Sequence, residues 1–543
     1  MSRDDVDRRT FLQYGGAAAA TAASVGLAGC GDSGNGNGNG NGDGETDTPT
    51  PSGAEAELRE YDGELPEDPT REQVLQHANG VSNELAPWVF LHQQYSIYGV
   101  NNDLEWTARA DEDINVKEIS TQRDEITITQ GQLAPTLDPV GDNSTSTYNV
   151  IDQGYEPFLY RDRDGRPIAL IVTDWERTSE QEVRLTIRDD VTFHNGDGMT
   201  AEDVAYSINR ANNPDVSDVA STIGDINEAS EVDGDVVLDL NSLEPAIFRN
   251  LTAFGRVVEK SWVNDNDGEI ADVMNGTGPY ELDEYVDDTR VAYTQFDDYW
   301  GETPDPQSVT FTAIPENGPR VDALIAGDTD LIVNVRPNDI PDVQEAEGVR
   351  YEDTPSTRLI FLVMNDAFEP FDSQEFRQAM NFAVDVESII NNILNEFGDQ
   401  TSQPTLPGHN GHNPDVDPYP HDPARAEALV EESGHAGAEL ELHVPRGRYL
   451  RDVDIAEACA SQIDELENVS CEVNRREFAN LVSELVAEQS ESPAFFLIGW
   501  GNPTLDANYA MGPWFTEGAF QHFNNQELAD LLEQANNIPS GSE

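Results

Sequence analysis

Residues 495–506, FFLIGWGNPTLD, carry the side chains best suited to binding chemistry. An apolar, strand-like run delivers Trp500 to a Gly-Asn-Pro turn, and an indole offered on a turn can stack on a ligand and exclude water. The same indole could equally be an ordinary core residue. Asn502 and Asp506 add an amide and a carboxylate within the same loop. Arg358 precedes a second apolar run; its planar fork could hold a carboxylate at two oxygens, or simply offset the acidity around it. His409, His412 and His421 lie among Asp415, Asp417 and Asp422, a mixture that transition metals accept. Their spacing matches no compact ligand motif and prolines interrupt it, so the stretch reads as a surface loop with no metal. Cys459 and Cys471 could form a disulfide or stay two buried thiols.

Catalytic patterns are missing: there is no GxSxG elbow, HExxH helix, Walker loop or dinucleotide fingerprint. Acidic pairs such as Asp189-Asp190 carry no weight in so acidic a chain. The expectation is a binding protein, not an enzyme, with no cofactor.

Charge narrows the partners. The 543 residues include 105 acidic and 30 basic ones, a formal charge of -75. Only Lys117 and Lys260 are lysines. Such a surface repels phosphates, which argues against nucleic acid. With 37% hydrophobic residues in regular periodicity the chain should fold. An acidic, lysine-poor surface looks like that of proteins from extreme halophiles, where molar salt screens self-repulsion. Stability should fall in dilute buffer.

The elements that must position the binding residues are alternating strands and helices. Val183, Leu185 and Ile187 alternate with polar neighbours as a half-buried strand, and Asn195-Gly196-Asp197-Gly198 breaks it. Thr200 and Asp203 then form a capping box for a helix whose Val204, Ile208 and Ala211 share one face. Leu359–Asn365 reads as a buried strand and Phe376–Asp385 as a helix. At the front, Arg8-Arg9-Thr10-Phe11-Leu12 is a twin-arginine pattern followed by an apolar run too short to span a bilayer. Leu27-Ala28-Gly29-Cys30 looks like a lipobox, and Gly31–Gly53 reads as a flexible tether.

TFHNGDGMTAEDVAYSINR after a strand resembles the signature of the family 5 solute-binding proteins of ABC importers, the dipeptide, oligopeptide, glutathione and nickel receptors. Tyr155-Glu156-Pro157-Phe158-Leu159, Asn275-Gly276-Thr277-Gly278-Pro279-Tyr280 and Phe376–Asp385 extend the likeness. It implies an α/β fold of two lobes, periplasmic-binding-protein-like (type II, of the large family 5 kind), with mixed sheets and a hinge. It further implies that Trp500 lines the cleft, with Tyr155 and the Leu133–Pro139 loop, including Thr136, nearby. In peptide receptors an aspartate three residues past the tryptophan grips the ligand amine. Here that position is Pro503, beside Asn502; Asp506 matches the second acidic position.

One feature departs from the family order. A helix around Val74–Val81, a Pro87-Trp88-Val89-Phe90-Leu91 strand and a short strand Ile97–Val100 belong, in relatives, at the far end. Here they precede the family's opening strand, Ile126–Gly131, and the chain stops after the helix of Glu527–Ala535. The pattern suggests a circular permutant. The expected division is signal peptide 1–29, tether 30–57, a permuted piece of lobe II 58–95, lobe I 96–335 and lobe II 336–543, crossing near Val333–Pro337. The resemblance implies a monomeric, lipid-anchored extracellular protein that captures a peptide-like solute by hinge closure and hands it to an ABC permease with its ATPase subunits. The alternative is a sensing component that presents its solute to a membrane signalling protein.

Overall fold

A computed structural model describes residues 57–539, apart from positions 143, 164, 267, 268, 488, 517 and 519. Arg8, Arg9 and Cys30 lie outside the described residues.

The capping box forms as read. Thr200 Oγ1 accepts from the Asp203 amide at 3.3 Å and the Asp203 carboxylate accepts from the Thr200 amide at 2.9 Å. The helix Ala201–Ala211 buries Val204, Ile208 and Ala211 completely. It packs on a four-stranded antiparallel sheet that includes the strand Glu182–Ile187. This sheet, with its own apolar core, forms one part of lobe I.

The rest of the molecule is organised on one eleven-stranded mixed sheet that passes through both lobes. On the lobe I side, Glu125–Gln130 lies parallel to Ser308–Ala313 and to Leu331–Ile332. On the lobe II side, Ala438–Pro445 lies parallel to Val469–Arg476 and next to Phe495–Gly501. Two long antiparallel strands, Trp88–Asn101 and Val349–Met364, join the halves.

Ile97–Val100 is therefore not a separate short strand. It continues Trp88–Leu91 through register shifts at Phe90/His92 and Gln93/Tyr95. Such bulges bend a strand without ending it. Opposite them lies Pro355, which has no amide proton for the ladder. Side chains bridge the gap: Gln93 Nε2 donates to the Ser356 carbonyl and Ser356 Oγ to the Gln94 carbonyl, both at 2.7 Å. The crossing thus falls at 93–95 and 355–358, not at Val333–Pro337. Val335 remains in lobe I, its amide bonded to the Ile97 carbonyl at 2.8 Å.

Residues 71–91 belong to the lobe II core. Trp88 pairs with Val363, which pairs in turn with Phe496. The Trp88 indole stacks on Phe361 at 3.9 Å and meets Trp514 edge-on at 5.5 Å. The helix Gln374–Ala383 clamps the segment before it: Arg377 donates to the carbonyls of Leu85 and Phe371, Gln378 to Glu84 and Arg59, and Asn381 to Trp88. The Arg377 hydrogen bonds go to carbonyls, those at Leu85 lying at the end of the helix Arg71–Leu85.

Candidate ligand-binding site

The strand Phe495–Gly501 brings Trp500 to the edge of lobe II, half buried. Its ring meets Trp514 at 5.4 Å and Phe520 at 5.3 Å, and Nε1 donates to the Tyr509 carbonyl at 3.2 Å. Tyr509 continues the aromatic row toward lobe I, 6.2 Å from Phe254. Trp500 is thus packed against the aromatic core of lobe II while staying partly exposed.

Arg358 sits opposite Gly501 in the sheet. A Cβ at Gly501 would lie 3.3 Å from Nη2 and 3.4 Å from both Cζ and Nη1, so the guanidinium lies flat over the glycine backbone. The nearest carboxylate is Glu112 of lobe I, at 3.7 Å. Glu112 accepts from Ser96 Oγ at 2.8 Å and so fixes this acid to the crossing strand.

Asn502 and Asp506 turn inward. Asn502 Nδ2 donates to the Asp506 carbonyl at 2.9 Å and its Oδ1 accepts from Thr504 Oγ1 at 3.0 Å. Asp506, 1% exposed, takes two hydrogen bonds from Arg71, at 2.7 and 2.8 Å, and one from Asn410 at 2.8 Å. Burial alone would raise its pKa, but the Arg71 charge and these bonds outweigh burial and hold the carboxyl below its ordinary value. Both residues shape the loop, and Asp506 has no carboxylate edge left for an amine.

Lobe I closes on that loop. Arg161 donates to the Pro503 carbonyl, and Arg249 donates to the carbonyls of Gly165, at 3.0 Å, and Thr504, at 3.4 Å. Gly165 has φ +78° and a Cβ there would lie 1.9 Å from Leu505 Cδ1, so only glycine permits this approach. The lobes enclose a cavity of about 160 Å³ here, lined by residues including Ala108, Asp111, Thr354 and Leu505.

The remaining candidates lie apart. Tyr155 is fully buried in the lobe I core, its ring beside Gly276. Thr136 is half buried and its hydroxyl accepts from the Asp138 amide at 3.1 Å, while Asp138 holds Arg210 at 2.7 and 2.6 Å. The histidines separate: His409 nears Asn502, His412 donates to the Thr405 carbonyl at 2.9 Å, and His421 faces Asp385 at 3.6 Å. Cys459 and Cys471 are free and buried.

The family markers prove architectural. His194 Nε2 donates to the Gly278 carbonyl at 3.0 Å, and the amides of Asn195 and Asn275 converge on Glu259 at 2.7 and 2.8 Å. Sequence reading missed Arg71, Glu112, Arg161 and Arg249. One hint was available for Arg71: an arginine in the first turn of a helix opposes the macrodipole and needs an anion elsewhere.

A sheet continuous across a bulged hinge, with an aromatic and a guanidinium at the junction of two lobes, defines a two-lobed periplasmic-type binding protein. Residues 166–522 match the model of the bacterial extracellular solute-binding proteins, family 5, and the chain belongs to that family. Its members bind a solute outside the cytoplasm without transforming it. The chain is 21% identical over 400 residues to the glutathione-binding protein GsiB of Pectobacterium atrosepticum, covering 72% of this chain and 77% of that one. It is 30% identical over 159 residues to the dipeptide-binding protein of Escherichia coli, 29% and 30% of the two chains. Among solved structures it resembles the Helicobacter pylori periplasmic binding protein DppA in complex with the peptide STSA (TM-score 0.63, 18% identity, 76% and 86% covered). It also resembles the substrate-binding protein CtaP of Listeria monocytogenes (TM-score 0.64, 20% identity, 76% and 86% covered).

Proposed function

We propose that this protein captures a peptide-like small solute between its lobes by hinge closure and delivers it to an ABC permease driven by ATPase subunits. One arrangement carries the reading: beside a bulged two-strand crossing Arg358 of lobe II faces Glu112 of lobe I, and Tyr509 stands between Trp500 and Phe254 of lobe I. An aromatic platform beside a guanidinium suits a solute with an apolar body and a carboxylate. Relatives named for glutathione and dipeptides point the same way. Solute contacts to both lobes favour the closed form by their differential affinity.

Twin-arginine export through Arg8-Arg9, and a lipid on Cys30, would hold the protein at the outer face of the cytoplasmic membrane. The segment 58–95 is the family's closing piece moved to the front; its packing against Val363, Phe496 and the helix Gln374–Ala383 supports that origin.

Mass spectrometry of solute released from protein purified in molar salt tests the central reading. A bound small molecule bearing a carboxylate is expected. Native protein that releases none, and that binds no member of a di- to pentapeptide panel, would sink it. Replacement of Cys30 by serine should release the protein from membranes.

A further inference from the structure

Leu505 holds a backbone conformation that usually falls to glycine, with φ +53°. The loop around it maintains the strain. The Leu505 amide donates to the Asn502 carbonyl at 3.3 Å, its carbonyl accepts from the Asn410 amide at 2.9 Å, and the neighbouring Asp506 is held by Arg71. Such outliers persist only where their surroundings over-determine them, and they gather at functional sites. Here the strain achieves placement: the buried side chain is set across the lobe boundary against the bare backbone of Gly165.

The same side chain bounds the interlobe cavity. That cavity measures about 160 Å³, well under the roughly 300 Å³ at which small-molecule sites begin. On the lobe I side Ala108 and Ala110 line it, and the segment that carries them runs on to Glu112, the acid facing Arg358. The Ala110 carbonyl accepts from the Thr357 amide and the Asn502 amide donates to the Thr357 carbonyl, both at 3.0 Å. This wall, the crossing strand and the Leu505 loop are thus fastened in one row. The charged residues of the wall are already committed. Asp111 accepts from Arg109 at 2.9 and 2.7 Å and from Arg161 at 3.0 Å, while Arg163 donates to the carbonyls of Thr107 and Ala108, both at 3.2 Å. What is left to receive a ligand is alanine, glycine, threonine and leucine.

We infer that Leu505 is a specificity-determining residue that limits the length of the solute. A chain seated beside Arg358 and running along 108–112 ends against Leu505 and Gly165, with room for one small uncharged side chain. The class is a dipeptide-sized compound with a small neutral group at that end. This rests on the interlobe capture proposed above and adds its size limit. The Arg161 and Arg249 bonds go to the backbone carbonyls of Pro503 and Thr504, so they hold the loop whatever side chain stands at 505.

The test is isothermal titration of the full chain, in molar KCl, with Ala-Ala and with pentaalanine. Ala-Ala should bind at least about tenfold more tightly, the order of discrimination that a packed apolar wall supplies. Leu505→Gly suits the left-handed backbone and so keeps the fold. It should bring the two peptides within about threefold of each other. Leu505→Met conserves volume and should keep the original gap. Melting curves in the same salt check that each variant is folded. Equal or tighter binding of pentaalanine by the original protein overturns the inference, as does a gap that survives in Leu505→Gly or vanishes in Leu505→Met. Each of those outcomes leaves interlobe capture standing. Binding of neither peptide by any of these proteins also overturns the size limit, and the solute-release experiment then decides whether capture falls with it.

Discussion

Arg71 and Asp506, 435 positions apart in the chain, meet in a buried two-point ion pair at 2.7 and 2.8 Å. Arg71 opens the helix that precedes the Trp88 strand, and Asp506 caps the helix Ala507–Phe515 behind the Trp500 loop. The pair ties the front of the folded chain to the loop that meets lobe I.

Breaking that pair should be expensive. Arg71→Ala or Asp506→Asn leaves one charge or dipole buried alone, a loss of about 3–5 kcal/mol. Urea unfolding in high salt measures it. The joint replacement Arg71→Met with Asp506→Leu should recover most of the loss. Because the folded-state pKa of Asp506 is depressed, its contribution is present above the ordinary carboxylate range and fades as pH falls through it toward the lower folded value. The acid limb of the stability profile should flatten in the double variant.

Arg161 and Arg249 reach from lobe I to carbonyls of the 503–504 loop. Replacing both by alanine should shift the population toward a more open form, raise the radius of gyration in X-ray scattering, and weaken solute binding by about tenfold. An unchanged scattering profile would show that these contacts do not hold the lobes together.

Rejoining the chain in family order, from residue 120 to 538 and then 58 to 118, should give a protein with the same melting temperature within a few degrees and the same solute affinity. The two crossing strands pair regardless of which is made first. An insoluble or non-binding product would count against a permuted origin.

Salt should stabilise throughout. A formal charge of -75 spread over this surface makes self-repulsion the term that screening relieves. The urea midpoint should rise steadily from dilute buffer to molar KCl. A midpoint independent of salt would remove the charge argument.

Burial pushes the Cys471 thiol up to about 12 and that of Cys459 higher still, so neither forms thiolate near neutrality. Thiol reagents should label them only on the unfolding timescale; one thiol reacting at once in the native protein would contradict the structure.

Local chemistry was legible without coordinates. Thr200 and Asp203 satisfy each other's amides within one turn, and the alternation of Val183, Leu185 and Ile187 needs only a neighbouring strand. Likewise the aromatic Trp88 strand announced its own burial. What sequence could not determine were partners and turning points set by distant segments. Asp506 looked available because Arg71 is remote along the chain; folding brings the guanidinium to it and converts a candidate ligand group into a strut. Pro87–Leu91 and Ile97–Val100 looked like two separate strands, yet hydrogen bonds from Gln93 and Ser356 carry the backbone between them through a bulge where the crossing strands bend. Periodicity and capping act over a few residues and are written in local order, whereas charge pairing and bending depend on which surfaces the completed sheet brings face to face.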